Sequence, residues 1–124
     1  MKKFSKAAIF VIIILFLVAY AVLIESHYSL KILDFGPKHT VAGEKFNIQP
    51  SGKSALWFKT QGKLTKTIIL KYEDLSLDTK VNIDKGLVSA FIPNKLYEKE
   101  GIFTLYLFDA KDNNSSNKVT FTVK

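Results

Sequence analysis

The chain has 124 residues and a net charge of +7, with 18 lysines, no arginine and no cysteine. That length accommodates one folded domain, and the lack of cysteine excludes a disulfide framework, a thiol nucleophile and any cysteine-based metal site. Lys2, Lys3 and Lys6 precede an apolar stretch, which leaves 15 lysines against 11 acidic residues in the remainder, spread singly along it. Nucleic-acid footprints cluster Lys and Arg, and Arg is favoured for bidentate phosphate contacts. The charge therefore reads as a solvated surface, and no nucleic-acid partner is expected. Weak attraction to anionic lipid head groups or acidic glycans is compatible with it.

In chain order, residues 1–6 form a basic tail, and Ala7 to Ile24 is an uninterrupted apolar run of 18 residues. A helix of that length rises about 27 Å, enough for a hydrocarbon core. Lipid offers no partners to open backbone groups, so a helix is the expected form. The three lysines before it and Glu25 after it place the N-terminus in the cytoplasm by the positive-inside rule. Membrane lipid is thus the first expected partner, through residues 7–24. The same features also fit a cleaved signal peptide, because Ala19-Tyr20-Ala21 matches the A-x-A pattern. Against cleavage, the apolar run continues through Val22, Leu23 and Ile24. Both readings put the following domain on the same side of the membrane. A pilin-like start is set aside, since neither a processing glycine before the run nor a glutamate near its start is present.

Residues 25–29 read as a linker. From Leu30 the pattern becomes short runs of Val, Ile, Phe, Tyr and Thr divided by turn residues, which fits pleated, half-buried strands. Strands are expected at Leu30 to Phe35, Lys45 to Gln49, Ala55 to Thr60 and Lys66 to Tyr72. Further strands are expected at Lys80 to Ile83, Leu87 to Ile92, Ile102 to Asp109 and Asn117 to Val123. A single helical turn is expected within Asn94 to Glu100, with Leu96 tucked under the domain, and a polar loop at Lys111 to Ser116. Seven to eight short strands starting roughly every dozen residues predict an all-β, two-sheet sandwich over residues 30–124.

The order of several short motifs resembles an IPT/TIG domain, an immunoglobulin-like β-sandwich. These are Phe35-Gly36-Pro37 after the first strand, then Val41-Ala42-Gly43 leading into Phe46-Asn47-Ile48. Val88-Ser89-Ala90-Phe91-Ile92-Pro93 with Leu96 is similar to that family's x-A-x-I-P run and later Leu. Gly101-Ile102-Phe103-Thr104-Leu105 follows, then Ser116-Asn117 with Phe121 and Val123. The stretch from Ser51 to Asp84 departs from the pattern and lacks the glycine-rich hairpin common in the family. The resemblance implies a fold and a binding habit and carries no catalytic residues.

Chemistry-bearing motifs are sparse. His27 and His39 lack further ligands at metal-site spacing. Glu73, Asp74 and Asp78, and separately Asp109 and Asp112, form acidic groups without an EF-hand spacing. They read as turn residues. No G-x-S-x-G elbow, P-loop or G-x-G-x-x-G is present. Asn113 and Asn114 begin N-x-S sequons, relevant only to a glycosylating host; the lysine-rich, arginine-free composition reads as bacterial. No enzyme activity and no cofactor are expected.

The informative oddity is apolarity on both faces. Phe103, Leu105 and Leu107 share one face of their strand, and Ile102, Thr104, Tyr106 and Phe108 the other. Leu56, Trp57 and Phe58 are likewise apolar on both faces, whereas antiparallel sandwiches normally expose a polar face. These two strands are neighbours in one sheet of an immunoglobulin-like fold, so Trp57, Phe58, Tyr106 and Phe108 are expected to form one aromatic partner-contact patch. The opposing expectation is that the fourth strand, or Gln61 to Lys66, folds over this face. The reading is a membrane-anchored, non-enzymatic binding module on the outer side of a bacterial cytoplasmic membrane. It would be an accessory or scaffold subunit contacting a larger membrane or envelope protein. The alternative is a secreted or periplasmic domain with a cleaved signal that binds carbohydrate or another envelope polymer.

Overall fold

The computed structural model describes residues 30–124. The basic tail, the apolar run at residues 7–24, the linker and His27 lie outside the described residues. Among the described residues no helix is long and apolar enough to cross a membrane.

Among the described residues, ten strands form two sheets. They are β1 (Leu30–Gly36), β2 (His39–Thr40), β3 (Ala55–Gly62), β4 (Ile69–Tyr72) and β5 (Leu75–Leu77), then β6 (Lys80–Asn82), β7 (Leu87–Phe91), β8 (Gly101–Asp109), β9 (Asn114–Ser115) and β10 (Val119–Val123). One sheet has the order β1-β3-β7-β6; the other has β2-β10-β8-β4-β5, with β9 also paired to β8. All pairings are antiparallel except that of β2 with β10. Proline supplies no N–H to a ladder, and Pro37 lies where the chain leaves β1 in the first sheet for β2 in the second.

Period-two alternation sorts the side chains. Leu56, Phe58 and Val88 from one sheet meet Leu70, Tyr72, Leu105, Leu107 and Phe121 from the other in a single core. Burying an aromatic ring such as that of Phe58 is worth roughly 1.5–3 kcal/mol. Phe58 stacks on Phe35 with centroids 6.0 Å apart. Phe35 reaches the core only because β1 carries a bulge. The register slips between Ile32 and Asp34, and Leu33 is left exposed. An extra residue reverses the in-out phase beyond it, so Ile32 and Phe35 both point inward despite their odd spacing.

The strand expected at Lys45 to Gln49 does not form. Asn47 adopts a positive φ of 42°, which breaks the alternation: Phe46 is buried while Ile48 is exposed. Side chains replace the missing ladder. The Phe46 amide donates to Ser54 Oγ at 3.1 Å, and Asn47 Nδ2 donates to the Ala55 carbonyl at 3.1 Å. As a result β3 is the second full-length strand of its sheet, between β1 and β7. The expected fourth strand is shorter, beginning at Ile69, and it is followed by the additional strand β5.

The helical turn appears as a 3₁₀ turn at Asn94–Leu96. It tucks in Tyr97, which is fully buried, while Leu96 is only partly so. A buried phenol needs a hydrogen-bond partner. The Tyr97 hydroxyl donates to Asn94 Oδ1 and lies 2.9 Å from Ser54 Oγ, while its ring packs edge-on against Phe46 at 5.0 Å.

Each edge of the four-stranded sheet receives a side-chain contact at one residue. On β1, Asn117 Oδ1 accepts from the Ile32 amide at 2.7 Å, and its Nδ2 donates to the Ile32 carbonyl at 3.2 Å. On β6, Lys66 Nζ donates to the Val81 carbonyl at 3.3 Å. Open edges invite pairing with foreign strands, and these contacts occupy edge backbone groups at Ile32 and Val81.

Candidate functional site

The structure does not bring the four expected contact residues together. Trp57 and Phe58 are on β3 in one sheet, and Tyr106 and Phe108 are on β8 in the other. The reason is the missing strand at Lys45 to Gln49: β3 shifts one place along the fold, and β4 takes the position beside β8. Phe58 is a core residue with no exposure, whereas Trp57 is 38% exposed on the outer face. The apolar run Leu56-Trp57-Phe58 is thus two inward residues flanking one outward one.

Trp57 has room because its cross-strand partners are small, Gly36 on β1 and Ser89 on β7. The indole lies over Gly36 so closely that a Cβ there would sit 2.7–2.8 Å from its ring atoms. One side of the ring system therefore covers bare backbone, while part of it remains open to solvent. Two residues along β7, Phe91 is outward and 49% exposed, opposite Ala55. Lys53 Nζ stands 5.4 Å from its ring centroid, within the cation–π range.

These strands floor a groove of about 570 Å³ with Ala55, Trp57, Ser89 and Phe91. Its polar walls come from Asn47, Gln49 and Ser51 on one side and Asp78 and Lys80 on the other. The depression continues past Phe91 toward Lys45 and Lys53. In the other direction it passes Trp57 toward Leu87, Ile83 and Lys66. Phe91 and this lysine border were not anticipated. The usable signal was the outward register of Leu87, Ser89 and Phe91 against inward Val88 and Ala90.

On the second sheet, β8 turns Leu105, Leu107 and Asp109 inward. Its outer face carries Ile102, 71% exposed, with Thr104, Tyr106 and Phe108 partly covered. Ile69 lies opposite Phe108 and Lys71 opposite Tyr106 on β4, and Lys118 Nζ stands 5.7 Å from the Tyr106 ring centroid. This face is an apolar stripe bordered by lysine stems, which cover such surface while keeping their charge in water. Residues 61–66 do not lie in either strand pairing of this face.

Asp109 is the one buried carboxylate among the described residues. The hydroxyls of Thr65 and Thr67 donate to its two oxygens, and the Lys111 amide donates to Oδ1 at 3.2 Å. The Thr65 hydrogen bond, aided by those of Thr67 and Lys111, holds its carboxyl below the usual carboxylate range, against the opposing pull of burial. Nearby, Lys63 pairs with Asp112 at 2.9 Å, which raises the Lys63 ammonium above its ordinary value. Together these contacts tie the segment before β4 to the turn after β8. His39 is exposed, and the Thr104 amide donates to Glu73 at 2.8 Å. Among the described residues, no group of three or more His, Cys, Asp or Glu is placed to hold a metal ion. No protein-family model matches the chain, and no curated protein matches it.

Proposed function

We propose that this chain is a single-pass, membrane-anchored, non-enzymatic binding module with an immunoglobulin-like, IPT/TIG-type domain. It stands on the outer side of a bacterial cytoplasmic membrane as an accessory or scaffold subunit of an envelope complex. The strand order supports the immunoglobulin-like reading: β1-β3-β7-β6 and β10-β8-β4 follow the A-B-E-D and G-F-C arrangement of such sandwiches. The apolar run at residues 7–24 supports the anchor. Tethering raises the domain's effective concentration beside a membrane partner.

The single observation that carries the contact role is the apolar outer stripe of β8, with Ile102 at 71% exposure beside Tyr106 and Phe108. Aromatic residues on such stripes are favoured anchors for protein partners. The test is mild-detergent purification of the full-length, C-terminally tagged protein, followed by intact mass. The expected result is a full-length mass and a stoichiometric membrane protein that is lost from the Tyr106→Ser/Phe108→Ser variant. A mass beginning at Val22, with no partner, overturns the anchored-subunit reading.

A second reading, binding of an envelope polymer, is favoured by one specific observation. The groove beside Trp57 and Phe91 combines aromatic surface with Asn47, Gln49 and Asp78. Sugars need both kinds of group, apolar faces for their C–H surfaces and short polar side chains for their hydroxyls.

A further inference from the structure

We propose that the groove on the outer face of the four-stranded sheet binds an acidic polysaccharide, a chain of sugar rings bearing carboxylate or phosphate groups. This rests on the polymer-binding reading above and names the ligand class and the residues that select it. Four exposed lysines border the depression, Lys45 and Lys53 beyond Phe91, and Lys66 and Lys80 toward the other end. Only Asp78 and Asp84 oppose them along the same surface.

Three of these ammonium groups are already held in place. Lys45 Nζ donates to the Gly52 carbonyl at 2.9 Å, Lys66 Nζ donates to the Val81 carbonyl at 3.3 Å, and Lys53 lies over the Phe91 ring. An ammonium has three donors, so each retains capacity for an anionic group after its protein contact. Between the lysines the surface is the exposed part of the indole that lies on Gly36, the exposed Phe91 ring, and the short polar side chains of Asn47, Ser51 and Ser89. Aromatic surface gives stacking, the polar groups match hydroxyls, and the bordering cations match carboxylate or phosphate.

The shape favours a polymer. The groove runs along β7 from Leu87 to Phe91, about 13 Å of strand, and is open at both ends, whereas small-molecule sites bury most of their ligand. An extended peptide adding a strand is disfavoured because Asn117 and Lys66 occupy the sheet edges.

Trp57 is the only tryptophan in the chain, so its fluorescence reports on the groove without labelling. The experiment titrates the full-length protein in neutral detergent micelles with oligogalacturonate, phosphomannan, a neutral maltooligosaccharide and polyglutamate. A saturable change in Trp57 emission is expected with an acidic sugar polymer, weakening as salt is added. No such change is expected with maltooligosaccharide or polyglutamate. The uronate and phosphate arms identify which anion is preferred. Lys53→Gln/Lys80→Gln should bind about tenfold more weakly, while Lys118→Gln, beside Tyr106 on the opposite sheet, should bind as the parent does. Equal binding of the neutral glycan overturns the acidic assignment but leaves polymer binding standing; silence with every polymer overturns both. Equal binding of polyglutamate replaces the sugar with an acidic peptide, and unchanged affinity in the lysine variant removes the proposed residues from the site.

Discussion

The outer faces of the two sheets are both partly apolar, but they are built differently. On the four-stranded sheet the apolar residues are separated. Trp57 and Phe91 stand apart with Ser89 and Ala55 between them, loops rise on both sides, and lysines border the depression. On the other sheet Ile102, Thr104, Tyr106 and Phe108 run consecutively along one strand face, with Ile69 facing Phe108 across to β4. The first arrangement is a groove with polar walls, suited to a chain-like ligand. The second is a stripe without walls, suited to another folded surface. Exposed aromatic content alone does not distinguish the two faces; the side chains beside the aromatics do.

The largest test of the distinction lies within β3. Phe58→Ala should lower stability by about 3–5 kcal/mol, because Phe58 is wholly inside the core. Trp57→Ala should cost only roughly 1–2 kcal/mol, since the indole is 38% exposed. Chemical denaturation of the two variants measures the difference, and equal losses would erase the division between the core and groove sides of this strand.

Next in size is the tie at the end of β8. Asp109→Ala leaves the hydroxyls of Thr65 and Thr67 without their acceptor and should cost roughly 1–3 kcal/mol. Hydrogen bonds lower the folded-state pKa of Asp109, so its contribution is present above the unfolded value of about 3.9. It is lost as pH falls through the still lower folded value. Asp109→Asn should therefore flatten the decline in thermal stability below about pH 4. An unchanged acid profile would remove Asp109 as its source.

Asn117→Ala should cost roughly 1–2 kcal/mol by uncovering the Ile32 amide and carbonyl. It should also produce concentration-dependent association in sedimentation through the freed edge of β1. The smallest stability effect is expected for Gly36→Ala, within about 1 kcal/mol of the parent. Its new methyl would meet the indole at under 3 Å and lift Trp57 off the sheet. Trp57 emission should shift to longer wavelength, with little change in the midpoint of unfolding. An unshifted spectrum would mean that Gly36 does not position the groove's aromatic surface.

Much of the all-β domain was legible from local pattern. The alternating runs at Leu87–Phe91, Gly101–Asp109 and Val119–Val123 were anticipated to within about two residues, because one buried face dictates a period of two. The short strands β2, β5 and β9 were not, since two or three residues carry little period; β6, equally short, was legible from the Asp84-Lys85-Gly86 turn that follows it. The stretch Lys45 to Gln49 had the composition of a strand, but the positive φ at Asn47 and the side-chain contacts of Ser54 turn it into a loop. That one change moved β3 out of the neighbourhood of β8 and split the expected aromatic patch between two sheets.

Sequence by itself determined which stretches alternate and how the charges are dispersed, and hence that residues 30–124 form a strand-rich domain. It also defined the apolar run at residues 7–24 as a membrane-length segment. Tertiary structure decided which outward residues share a surface. It joined Trp57 on β3 to Phe91 on β7, set Tyr106 and Phe108 on the opposite sheet, and placed Asp109 against Thr65 and Thr67. The physical reason is that alternation is a local consequence of the pleat, whereas sheet order depends on long-range pairing that no short window of residues encodes.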